Sequence, residues 1–484
     1  MPLAIEVLLF SIGVLILLAI FANKASGRLG VPALVFFLAL GMLAGSDGPG
    51  GIYFDNPWQT QLVGTAALAY ILFAGGLETR WSVVRPVALP ALLLSTLGVV
   101  LTTLLVGWFA MQVLGFAPLE GLLLGAIVSS TDAAAVFSIL RSRDTRLRGK
   151  LEPLLEMESG SNDPMAIFLT LGLVRLLSDP GLGPASLLPM FLIQFGIGGL
   201  AGFVFGKAGI WLVNQIKLRE DGLYPVLTTS LVILIYGATT ALGGNGFLAV
   251  YLAGMVMGNG VFVHRRSLTR YHDGLAWLMQ ITMFLVLGLQ VFPSQLPAIA
   301  LTGLLAAAFL MVVARPLSVF VALLPFRFTL CEKLMVSWVG LRGAAPIVLA
   351  TFPLLAGLEK SGTLFNLVFF VVLLSVLLQG SSIPFVARLL RVNHPESAGA
   401  ITNLPDDFFD KYQGELVELI VKPNSSACGK RIVEINLPDS VLLVLIQRGK
   451  NLFLPRGDIA LETGDRVLAA SDRQGIAEVL SLFG

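Results

Sequence analysis

Stretches of about 20 apolar residues with almost no charge recur between Leu3 and Leu390, and each is long enough to cross about 30 Å of hydrocarbon. In lipid, every backbone N–H and C=O must be paired within its own segment, so such a chain folds as a set of membrane helices. Composition points the same way. The chain is 56% hydrophobic and 13% charged, against about 25% charged residues in soluble domains. Only the last 80 or so residues read as soluble.

Several classes drop out. The net charge of +2 and the lack of aromatic-basic clusters or finger motifs give no footing for a nucleic-acid partner. Cys331 and Cys428 have neither disulfide nor zinc spacing. Three histidines, His264, His272 and His394, fall in loops or at a boundary with no nucleophile-base motif, so no enzyme is expected. The apolar start at Pro2 has no basic n-region and reads as a first span, not a removed signal peptide. Gly196-Ile197-Gly198-Gly199-Leu200-Ala201 matches a dinucleotide fingerprint but follows no strand. Gly198, Gly202 and Gly206 read instead as a small-residue stripe for close helix packing.

Cutting at charged and Gly/Pro-rich breaks predicts thirteen spans, at roughly 3–22, 31–45, 60–77, 87–113, 118–140, 153–178, 186–215, 223–242, 246–261, 274–291, 296–323, 333–356 and 362–388. With the N-terminus outside, eighteen Lys and Arg, from Lys24 to Arg391, fall in cytoplasmic loops and Lys360 alone falls opposite. The positive-inside rule therefore places the C-terminal tail in the cytoplasm. Thirteen spans fit an inverted repeat of two six-span units around one linking span. Span 5, with Ser129-Ser130-Thr131-Asp132, and span 12, with Gly340-Leu341-Arg342-Gly343-Ala344-Ala345-Pro346, are interrupted at corresponding positions. Paired breaks of this kind mark a midplane ion site, since irregular backbone is tolerated only where it lines a cavity. The fold class expected is an all-α polytopic membrane protein with two broken crossing helices and a small α+β cytoplasmic domain.

A charge inside a span costs at least about 2.5–3.5 kcal/mol, so each one needs a partner or a task. The candidates are Glu78, Asp132, Glu156, Glu158, Asp163, Arg315 and Arg342. In span 6, Ser159 lies one turn before Asp163, so a hydroxyl and a carboxylate share a face, and Glu158 lies one turn before Asn162, which is counted with Asp163, Asp132, Ser159, Thr131 and Glu78 among the cation- or proton-binding candidates. Oxygen ligands suit hard cations such as Na⁺ and K⁺, and Pro164 frees a carbonyl nearby. Arg342 is a natural buried partner for Glu158, which reads as structural. Asp132 fits both a helix cap and an ion ligand. Glu78, beside Thr79 and Arg80, fits ligation or solvation at the cytoplasmic mouth equally, and Glu156 fits a solvated start of span 6.

The motifs Leu72-Phe73-Ala74-Gly75-Gly76-Leu77-Glu78, Ser130-Thr131-Asp132-Ala133-Ala134, Glu158-Ser159-Gly160-Ser161-Asn162-Asp163-Pro164 and Gly340-Leu341-Arg342-Gly343-Ala344 stand in order along the chain. Together they resemble the monovalent cation/proton antiporter superfamily, specifically its electroneutral NhaP-type branch. The resemblance implies that Asp163 carries either cation or proton, that Ser159 and Glu78 assist, that the Thr131 carbonyl contributes, and that Asp132 supports the site. It also implies the Glu158–Arg342 ion pair and a homodimer. Asn162-Asp163 stands where electrogenic relatives have two aspartates, which implies one proton per cation. The cargo would be K⁺ or Na⁺ with H⁺, no cofactor is expected, and transport should fall at low pH where protons saturate Asp163.

The organisation expected is a transmembrane exchanger domain at 1–392, a linker at 393–404 and a cytoplasmic domain at 405–484. The tail reads as short strands at Glu415 to Val421, Val441 to Gln447, Asn451 to Leu454 and Arg466 to Ala469, the middle pair joined at Gly449, with a final helix from about Arg473 to Leu482. Cys428-Gly429-Lys430-Arg431-Ile432-Val433, Pro455-Arg456-Gly457-Asp458 and Gly464-Asp465-Arg466-Val467-Leu468 resemble the TrkA-C subdomain of regulator-of-conductance-of-potassium modules. That resemblance implies dimerisation and a small-molecule or ion ligand, and it tilts the cargo towards K⁺. The NAD-binding subdomain that accompanies such modules is missing. A tail serving only stability or assembly is the alternative. A ligand-gated K⁺ channel would explain the tail but lacks a T-V-G-Y-G-like filter, and a membrane receptor leaves Asp163 at membrane depth unexplained.

Overall fold

A computed structural model describes residues 5–29, 32–54, 56–143, 145–179, 181–343, 345–393, 415–421, 425–435, 437–438, 441–448 and 451–471. The chain divides into two compact units, Met1–Asn393 and His394–Gly484. The first is helical: α1 (Ile5–Leu29), α2 (Ala33–Ala44), α3 (Pro57–Glu78), α4 (Trp81–Val113), α5 (Pro118–Ile127), α6 (Ala133–Ser142), α7 (Leu151–Ser178), α8 (Pro184–Gln215), α9 (Leu223–Ala241), α10 (Gly246–Gly258), α11 (Arg265–Gln290), α12 (Pro293–Ala322), α13 (Leu330–Trp338), α14 (Ala345–Leu355) and α15 (Ser361–Leu389). Among the described residues, eight helices are long and apolar enough to cross a membrane, and α2, α5, α10 and α14 are shorter apolar helices. At 28 residues α7 is long enough as well, but it carries four carboxylates, Glu152, Glu156, Glu158 and Asp163, in its first half.

The expected interruptions are real. Span 5 is split into α5 and α6, and span 12 into α13 and α14. Span 10 begins earlier than expected, at Arg265, because its first turns are polar yet still helical. Pro316 and Pro384 have no N–H for the carbonyls of Val312 and Gly380, and both carbonyls lie in π-helical turns, Leu310–Ala314 and Val376–Gly380.

Glycines bring helices to backbone contact. A Cβ on Gly254 would meet the Phe73 carbonyl oxygen of α3, and one on Gly76 would meet that of Tyr251. Gly41 and Gly288 join α2 to α11 in the same way. The expected stripe on α8 packs on α10, with Gly198 against Asn245, Gly202 against Ala249 and Gly206 against Val256. Gly254→Leu is therefore expected to lower the thermal midpoint in detergent, since overpacking costs about 1–3 kcal/mol. Gly196→Leu, where a Cβ meets nothing, should leave the midpoint unchanged.

The second unit holds an antiparallel sheet of order β1-β4-β2-β3, made of β1 (Glu415–Ile420), β2 (Val441–Arg448), β3 (Asn451–Phe453) and β4 (Arg466–Ser471). Leu419, Val421, Ile446, Leu461, Val467 and Ala469 form its core. Arg448 grips the buried Asp465 with Nε–Oδ1 2.9 Å and Nη2–Oδ2 2.8 Å, which holds its guanidinium pKa above the ordinary value. This fork steadies the turn into β4, where Gly464 has φ +88°. The turn at Gly449 and the helix expected at 473–482 lie outside the described residues, as does nearly all of the 393–404 linker. Cys331 and Cys428 are free thiols.

Candidate functional site at the crossing of two broken helices

The two breaks meet. Between α5 and α6 the chain runs extended, and the Asp132 N–H donates to the Leu341 carbonyl of the other break at 2.8 Å. Asp132 Oδ1 also accepts from the Ala135 N–H at 3.0 Å, capping α6. The approach is so close that a Cβ on Gly343 would strike the Asp132 side chain. Carbonyls freed at the end of α5 need donors, and Arg342 supplies them: its Nη1 donates to the Ser129 oxygen at 2.5 Å and the Ser130 oxygen at 2.6 Å. The Arg342 N–H in turn donates to Ser375 Oγ at 3.0 Å.

Helix α7 docks against this crossing. Ser159 Oγ donates to the Thr131 carbonyl at 2.9 Å and accepts from the Ala133 N–H at 3.0 Å. Asp163 is buried, 7% exposed, and accepts a hydrogen bond from Ser130 Oγ. No Lys, Arg or His forms an ion pair with it among the described residues. Asp163, Ser159, Asp132, Thr131 and Glu78 all line one cavity of about 480 Å³. Glu78 is exposed at its mouth, where the cavity meets a second one of about 600 Å³ that also includes Asp273 and Arg141.

One expectation needs correction. Glu158 pairs with Arg315, not Arg342: Arg315 Nη2 lies 2.6 Å from Glu158 Oε1, and both are buried. Both guanidinium groups are nearby, because a Cβ on Gly340 would touch Arg315, but Arg342 is turned onto the freed carbonyls. Asn162 is fully buried, and its Nδ2 donates to Thr131 Oγ1 at 2.5 Å. It is not among the cavity residues, and this bond ties α7 to the first break.

Sequence reasoning placed no weight on Ser130, Tyr251 or Asp273. Ser130 lay in the polar run and could have been found there. Asp273 lies just inside the early start of α11, and Tyr251 is one aromatic in an apolar helix that nothing local singles out.

The family described as sodium/hydrogen exchanger, transmembrane, matches residues 13–389, and the TrkA-C domain matches residues 416–484. The K(+)/H(+) antiporter NhaP of Alkalimonas amylolytica is 42% identical over 481 residues, covering 99% of this chain and 84% of that protein. The K(+)/H(+) antiporter NhaP2 of Shewanella sp. (strain ANA-3) is 42% identical over 482 residues, covering 98% and 83%. The solved sodium proton antiporter MjNhaP1 from Methanocaldococcus jannaschii superimposes with a TM-score of 0.70 at 24% identity, over 79% of this chain and 99% of that one, which establishes a shared fold. With its paired broken helices and a family match that spans most of its length, the chain belongs to the transmembrane sodium/hydrogen exchanger family, a family of antiporters, and carries a TrkA-C domain at its C-terminus.

Proposed function

We propose that the protein exchanges K⁺ for H⁺ across the inner membrane, one for one, in the service of cation and pH homeostasis. The observation that carries this reading is Asp163, a buried carboxylate with no cationic partner among the described residues, on the wall of an oxygen-lined cavity. Cation and proton compete for it, and the competition is the coupling. Thr131, Ser159, Asp132 and Glu78 supply further oxygens, with Glu78 acting at the mouth.

Charge balance supports the stoichiometry. Counting only the charges at the two breaks and on α7 against them, Asp132, Glu158, Asp163, Arg315 and Arg342, and leaving out Glu156 and Glu78 nearer the mouth, the formal sum is one negative charge when the site is empty. One proton or one monovalent cation neutralises it. Because net charge at membrane depth is costly, the unit rocks between its two faces only when loaded. The names of the two NhaP-type relatives favour K⁺, whereas that of MjNhaP1 keeps Na⁺ in play. Thirteen crossings with the N-terminus outside, an inverted repeat centred on the two breaks, a homodimer, and a cytoplasmic tail that senses a small ligand or ion complete the proposal.

The test is proton movement in everted vesicles on adding K⁺ or Na⁺. K⁺ should give the lower half-saturating concentration, and the signal should fall as pH is lowered and protons fill Asp163. No proton movement with either cation would remove the reading.

A further inference from the structure

The geometry points to a second cation subsite on the path to Asp163, about two helical turns nearer the mouth, with the Tyr251 hydroxyl and the Glu156 carboxylate as its protein oxygens. It rests on the exchanger reading and extends it from one site to two in series.

Tyr251 projects from α10 onto Gly160 of α7, so closely that a Cβ at Gly160 would fall 2.7 Å from Tyr251 Oη. The residue is 3% exposed; its hydroxyl has the Thr79 hydroxyl as a polar neighbour but makes no close, well-aligned hydrogen bond among the described residues. A buried hydroxyl ordinarily finds a well-made partner, and the loose contact with Thr79 leaves the Tyr251 oxygen a lone pair to offer a cation. Glu156 precedes Gly160 by one turn on the same face of α7. Its Oε1 accepts from Thr79 Oγ at 2.8 Å, and Thr79 itself stands beside Tyr251. Tyr251, Gly160, Glu156 and Thr79 line the same cavity as Asp163 and Ser159. At about 480 Å³ that cavity admits a cation with part of its water shell, a water occupying about 30 Å³. A carboxylate and a phenol oxygen are hard donors of the kind an alkali cation takes in exchange for water. The cation would exchange some of its water for Glu156 and Tyr251 before it reaches Asp163 and Ser159. A proton needs no such station.

The test uses the full-length protein in proteoliposomes and measures initial exchange rate against K⁺ concentration at fixed pH, and against pH at saturating K⁺. Tyr251→Phe keeps the ring on Gly160 and removes only the oxygen. It should raise the half-saturating K⁺ concentration about five-fold, the scale of one net hydrogen bond, with maximal rate and pH midpoint unchanged. Glu156→Gln should shift the same parameter, and the double variant should add little to the larger single effect. Unchanged K⁺ saturation in Tyr251→Phe, or a loss of maximal rate alone, overturns the subsite while leaving the exchanger reading intact. If Tyr251→Phe does not fold, the same shift or its absence in Glu156→Gln decides. Wild-type protein that exchanges nothing overturns both.

Discussion

Asp163→Asn is expected to abolish cation-driven proton movement, at least about a hundred-fold below wild type, while the protein still folds. Asparagine keeps the shape and can still accept from Ser130 Oγ, so the crossing of the broken helices should survive. What disappears is the carboxylate for which, in the exchange proposed above, proton and cation compete. The measurement is dequenching of a pH dye in everted vesicles on adding K⁺, with expression and monodispersity checked alongside. A variant that exchanged as fast as wild type would show that another carboxylate carries the cargo, and Asp132 would be the next to replace.

The second large effect concerns folding. Arg315→Met leaves Glu158 buried, 1% exposed, without its 2.6 Å partner. Breaking a buried pair from one side costs about 3–5 kcal/mol, because the remaining charge is uncompensated. Recovery of folded protein by size exclusion should drop several-fold. Glu158→Leu combined with Arg315→Met should restore most of it, since replacing both charges by apolar groups is often neutral. Arg342→Met leaves that pair intact and instead strips the Ser129 and Ser130 carbonyls of their donor, so the same Glu158→Leu change should not rescue it. If Glu158→Leu rescued Arg342→Met and not Arg315→Met, the pairing would have to be reversed.

These two predictions differ in how far the sequence foretold them. Asp163 could be named because a lone carboxylate in an apolar helix, next to Pro164 and one turn after Ser159, is conspicuous within a single segment. The breaks at Ser129 to Asp132 and Gly340 to Pro346 were visible for the same reason, since polar and small residues interrupt otherwise continuous apolar runs. The tail strands followed from short alternating runs bounded by turn residues, and the glycine stripe on α8 from its spacing of four. The choice between Arg315 and Arg342 was not legible. Both are arginines at membrane depth, and which one meets Glu158 depends on how α7, α12 and the second break converge, a long-range geometry with no local signal. Where Asn162 points was not legible either: adjacency to Asp163 suggests a shared face, but successive helical residues point about 100° apart, and the Asn162 amide meets Thr131. Tyr251 matters only through Gly160, ninety-one positions away in the chain.

One contact bears on speed. At depth, α10 is joined to α7 through Asn245, whose Nδ2 donates to the Pro164 carbonyl at 2.9 Å. In the rocking scheme proposed above, each turnover that slides α7 past α10 would open and remake this bond. A net hydrogen bond is worth about 1 kcal/mol, whereas a process running at about 10³ per second crosses a barrier of about 13 kcal/mol. Such a fastening holds α7 in register between turnovers yet contributes under a tenth of the barrier, so it can define a resting position without setting the pace of exchange.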